Sequence, residues 1–139
     1  MNEIFVEIMS KKFPGRFKVE SSEQASPFIR FPAKSSDFGD IEIYEEYPGA
    51  YIVYAGKFTH GHFDIYDGEG DELVKNAAED VARFLEEVFA DRIVCGGSHE
   101  GGGGWRWIGH GDNELDSSKY PIRDEFVWSG LYRRTVADA

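Results

Sequence analysis

His60, His62 and Asp64 stand at alternate positions on one short stretch of this 139-residue chain. In a β-strand alternate residues project from the same face, so two imidazoles and a carboxylate would point together. That donor set suits zinc or iron(II), with coordination positions left open for water or substrate. If Asp64 turned away, a third ligand would have to come from elsewhere, and His99, Glu100 and His110 are the candidates. A His-x-His pair alone is a weak signal, and the plainer reading keeps both histidines as exposed or hydrogen-bonded strand residues.

Other combinations carry less chemistry. Cys95 has His99 four residues on, the makings of an activated thiol, but it closes an apolar run, where a cysteine is normally a packed core residue. The acidic stretch starting at Asp67 places Glu72 where a calcium loop needs glycine and Ala78 where it needs glutamate. The stretch 112–116 fails in the same way, with Ser117 and Arg123 at those two positions. The glycine run 101–104 could approach a phosphate, yet Trp105-Arg106-Trp107 continues as a strand where a phosphate loop would open a helix, so a hairpin tip is expected there. Trp105 and Trp107 share one face of that strand, either as core residues under a helix or as an interaction surface. No nucleophile elbow or zinc-protease helix motif occurs.

Charge is more informative. The net charge is −11, and the imbalance sits in the middle of the chain. From Asp37 to Asp91 there are fifteen carboxylates against Lys57, Lys75 and Arg83, a balance of −12, while the remainder carries +1. Such a field repels nucleic-acid phosphates and anionic lipid and attracts basic protein surfaces. The first residues carry Glu3 and Glu7 where a secretory signal would be basic, no apolar run reaches the ~20 residues that cross a bilayer, and the single cysteine fits a reducing compartment. A cytoplasmic location is the expectation.

The elements that must position these residues follow from periodicity. Ile4, Phe5, Ile8, Met9 and Phe13 recur at helical spacing until Pro14-Gly15. Short strands are expected around residues 17–20 and 28–31, and a hairpin turning at Pro48-Gly49 joins Ile41 and Ile43 to residues 51–54. A third strand, 57–66, would carry the histidines. From Asp71, its expected cap, to Phe89 a wide apolar stripe marks one long helix. Strands over 92–95, 105–108 and 125–133 complete the list. Strands grouped around one long helix predict a single α+β domain over residues 1–139, with an antiparallel or mixed sheet of about 6–7 strands, a short N-terminal helix and the long helix packed on one face.

The segment Phe58-Thr59-His60-Gly61-His62-Phe63 and the helical stretch Val81 to Ile93 resemble small bacterial proteins that include immunity-type partners of secreted toxins. The match lies within residues 58–93, about a quarter of the chain, and carries over no catalytic residues. It implies an acidic face turned toward a cationic toxin domain. The leading expectation is a non-enzymatic acidic binding protein, without cofactor, that gathers Glu42, Glu45, Glu46, Glu79, Asp80, Glu86 and Glu87 on one water-facing patch for a basic partner. The alternative is a small zinc- or iron-dependent enzyme built on His60, His62 and Asp64.

Overall fold

The computed structural model describes residues 1–22, 25–57, 59–64, 68–98, 102–107 and 124–134. Helix α1 (Glu3–Lys12) begins at Asn2, whose Oδ1 accepts from the Ile4 and Phe5 amides at 2.9 and 3.4 Å. Glu3 in the first turn and Lys11 and Lys12 in the last complement the helix dipole. Proline after the Phe13 cap ends it.

Five strands then form a simple antiparallel meander: β1 (Lys18–Ser22), β2 (Ala25–Phe31), β3 (Ile41–Tyr47), β4 (Ala50–Ala55) and β5 (Thr59–Phe63). Helix α2 (Asp71–Phe89) follows, and with 19 residues it is about 28 Å long. Its buried stripe is Val74, Ala77, Ala78, Val81, Ala82, Phe84, Leu85 and Val88, and α1 packs alongside it. Gly70 rather than Asp71 occupies the N-cap and offers no side-chain acceptor, so Asp71 and Glu72 act on the helix only as first-turn charges.

The remaining strands, β6 (Ile93–Ser98), β7 (Gly102–Trp107), β8 (Asp124–Val127) and β9 (Gly130–Arg134), make a second antiparallel sheet in the order β7-β6-β8-β9. The class is therefore the expected α+β, but its nine described strands divide between two sheets. Two further expectations change. Gly102, Gly103 and Gly104 lie inside the ladder, paired with Ser98, Gly97 and Gly96, and not at a loose tip. The run 125–133 is not one strand but two, turning at Trp128 and Ser129. Trp128 is only 4% exposed in that turn because it packs edge-on against Phe38 and Phe89, so a buried turn residue sustains an alternation that reads as strand.

One face of the five-stranded sheet supplies the core. Ile29, Phe31, Ile41, Ile43, Tyr51 and Val53 point inward to meet Phe5 and Met9 of α1 and the stripe of α2, and Ile93 and Cys95 of β6 join the same cluster. Strand period sends the intervening residues to the opposite, outer face. The edges β5 and β7 of the two sheets approach within 8 Å between Cα atoms without forming a ladder.

Candidate functional site

The registers align the outer-face residues into two rungs. Lys18, Arg30, Glu42, Tyr54 and His60 are successive partners across β1 to β5. In the neighbouring rung Glu20 pairs with Phe28, and Tyr44 with Ile52, which pairs in turn with His62. Their rings form a continuous chain: Phe28 stacks on Tyr44 at 4.8 Å, Tyr44 meets Tyr54 at 5.5 Å and 88°, Tyr54 meets His60 at 5.4 Å, and His60 meets His62 at 5.2 Å. Tyr54 is 42% exposed, and His60 and His62 are exposed.

Carboxylates border this aromatic stripe. Arg30 places Nε 3.2 Å from Glu20, Nη1 3.4 Å from Asp40 and Nη2 3.8 Å from Glu42, with its guanidinium 5.5 Å above the Phe28 ring. Asp40 also accepts from the Ala33 amide at 2.7 Å, which fixes the approach to β3. The Tyr44 hydroxyl donates to Glu42 Oε1 at 2.8 Å. Burial, and then the hydrogen bond and charge of Glu42, push the Tyr44 phenol up to about 12, so it stays a donor at any physiological pH. At the other end of the stripe, His62 Nδ1 lies 3.7 Å from Glu46 Oε1. Two shallow hollows open on this face. One of about 380 Å³ is lined by Glu42, Tyr44, Ile52 and Tyr54, and one of about 610 Å³ shares Glu42 and Tyr54 and extends to Asp40 and Lys57.

The raised Tyr44 value sets a pH dependence. A phenol that holds its proton more tightly when folded stabilises the protein fully below the unfolded value of 10.0 and loses that contribution as pH climbs toward about 12. The same sign applies to Tyr51, raised by burial and by its bond to Glu45. Urea midpoints should therefore fall between pH 10 and 12, and Tyr44→Phe should flatten that fall. An unchanged slope in the variant would remove Tyr44 from the account.

The seven carboxylates expected on one patch are separated. Glu42 and Glu46 lie on the outer sheet face. Glu45, one residue out of phase, turns inward, where it accepts from the buried Tyr51 hydroxyl at 2.8 Å and from the Asn2 amide at 3.1 and 3.2 Å, tying α1 to the sheet. Glu79, Asp80, Glu86 and Glu87 belong to the side of α2 away from its buried stripe, with the whole core between them and the outer sheet face. Three of them are ion-paired: Glu79 with Lys12 at 3.1 Å, Asp80 with Arg83 at 3.3 Å, and Glu87 with Arg92. The shared patch is absent because α2 covers the inner face, so its solvated side looks the opposite way from Glu42.

Among the candidate ligands, His60 and His62 do project together, while Asp64 stands exposed beyond the end of β5. Among the described residues no three His, Cys, Asp or Glu side chains come together to hold a metal ion. His99, Glu100, His110, Asp67, the glycine at 101 and the stretch 112–116 lie outside the described residues. Cys95 is buried and its thiol is pushed up to about 12 by desolvation, which suits packing and not nucleophilic attack. Trp105 is exposed at 39%, yet its ring lies 5.2 Å from that of Phe84 on α2, so it joins core to surface.

Sequence reasoning missed Tyr44, Tyr54, Phe28 and Arg30 as a group. The signal was their place at the outward positions of alternating strands, where large aromatic residues are costly unless something covers or uses them. Among the described residues no helix is long and apolar enough to cross a membrane. Comparison with family models, curated proteins and solved structures finds no match to this chain.

Proposed function

We propose that this chain is a non-enzymatic binding protein that engages a basic protein partner through the outer face of its five-stranded sheet, in the manner of an immunity-type inhibitor of a cationic toxin domain. One observation carries the reading: on β3, β4 and β5 the outward residues are Glu42, Tyr44, Glu46, Ile52, Tyr54, His60 and His62, with no lysine or arginine among them. Exposed tyrosines offer large rigid contact area at small entropic cost, the composition typical of interface hot spots. The carboxylates beside them supply long-range attraction within a chain of net charge −11.

The test is capture from the source lysate on immobilised whole protein, followed by kinetics with the purified captured protein. The expected partner is basic, and its association rate falls by at least about tenfold between 20 and 500 mM salt while dissociation changes little. Tyr54→Ala should weaken binding by about 2 kcal/mol, a loss of roughly thirtyfold, and Glu86→Ala on the far side of α2 by less than about twofold. A partner retained through the helix acids and indifferent to Tyr54 would overturn the proposal.

A further inference from the structure

We infer that the corner between Tyr44 and Tyr54 is the seat for an arginine side chain of the basic partner, with Glu42 as its counter-ion. The inference rests on the binding role proposed above and narrows it to one contact. Three observations support it. The two rings stand at 88° with centroids 5.5 Å apart, an edge contact that makes them two walls of a corner. The floor and third side are Ile52 and Glu42, and the shallow, open hollow they border measures about 380 Å³, within the volume range of ligand sites. Glu42 also has acceptor capacity to spare. Tyr44 uses Oε1 at 2.8 Å, whereas the nearest cationic nitrogen to Oε2, on Arg30, is 3.8 Å away and beyond hydrogen-bond length.

The same sheet face shows the chemistry in use within the chain. Arg30 lies over Phe28 with Glu20, Asp40 and Glu42 around it, an aromatic face plus carboxylates holding a guanidinium. One position along the ring chain, the Tyr44–Tyr54 corner sets a second aromatic pair beside the same Glu42, whose Oε2 Arg30 approaches only to 3.8 Å, and neither β4 nor β5 carries a lysine or arginine. Arginine fits better than lysine. Its planar guanidinium can lie flat on the exposed Tyr54 ring while its edge N–H groups reach the carboxylate, and it gives up hydration more readily than an ammonium.

The experiment is an NMR titration of the whole protein with acetyl-Gly-Arg-Gly-amide, compared with the same peptide carrying citrulline, a neutral isostere, and with one carrying lysine. Saturable shifts are expected at the Glu42, Tyr44 and Tyr54 amides. Binding should be about tenfold weaker for the citrulline peptide and several-fold weaker for the lysine peptide. Tyr54→Leu should reduce affinity about tenfold, and Tyr54→Phe, which keeps the ring, should remain within about twofold. Each variant's amide spectrum away from the site reports that it is folded. Equal binding of the arginine and citrulline peptides, tighter binding of lysine, or a Tyr54→Leu protein that binds like the original would each overturn the assignment. A failed titration beside partner capture that still depends on Tyr54 removes the corner alone. Specific arginine binding without any captured basic partner leaves the corner standing and removes the proposed role.

Discussion

Replacing Phe5 with alanine is expected to lower the unfolding free energy by about 3–5 kcal/mol, the cost of deleting a fully buried aromatic ring whose surroundings close only partly over the void. Phe5 has no exposed surface and stacks on Tyr51 at 3.8 Å with the planes 13° apart. Tyr51 is itself fully buried and sends its hydroxyl to Glu45, which also receives the Asn2 amide at the start of α1. The ring pair and the carboxylate therefore fasten the same helix end to the same strand pair. In a domain whose total stability is of the order of 5–15 kcal/mol, the loss is a large part of the whole. Tyr51→Phe keeps the stacking and removes only the hydroxyl, so its cost should be nearer 1 kcal/mol. Urea denaturation of the two variants separates packing from hydrogen bonding. A Phe5→Ala loss below about 1 kcal/mol would mean that α1 is not held through this ring.

The second large effect is at Gly56, between β4 and β5. Its φ is +71°, almost the same as the +70° of Gly15, so alanine at either position meets a similar backbone penalty of about 1 kcal/mol. The surroundings differ. A Cβ at Gly15 would have nothing within 4 Å, whereas one at Gly56 would sit 2.5 Å from the Phe38 carbonyl oxygen. That oxygen accepts from the Lys57 amide at 3.1 Å, and the Gly56 amide donates to the Asp40 carbonyl at 3.1 Å, so the turn is stitched to the loop that delivers Asp40 and Glu42 to the sheet face. Gly15→Ala should cost about 1 kcal/mol and Gly56→Ala about 2–4 kcal/mol, the excess measuring the forced movement of that loop. Equal costs in parallel urea titrations would show that the loop yields freely.

Several parts of this architecture are legible in residue order. The α2 stripe survives because its apolar residues recur at 3.6-residue spacing across five turns, and the limits Asp71–Phe89 follow from it. The β3–β4 hairpin is legible because Pro48-Gly49 breaks two runs of period two. The turn at Trp128 and Ser129 was not, since a tryptophan buried by Phe38 and Phe89 carries the same hydrophobic signal as a strand residue. The glycines at 102–104 look like a loop by composition, yet pairing with β6 holds them in a ladder.

The binding face divides along the same line. Alternation determined that Glu42 and Tyr44, Ile52 and Tyr54, and His60 and His62 would each leave their own strand on one side, because side-chain direction within a strand depends only on local backbone geometry. Which acids share that side with them was decided by tertiary structure alone. Helix α2 buries one sheet face and turns Glu79, Asp80, Glu86 and Glu87 away from the other, a relation between segments far apart in the chain that no local pattern encodes. Cross-strand register likewise brought Tyr54 beside Glu42 and His60, and that register comes from burial of the opposite face against the helices.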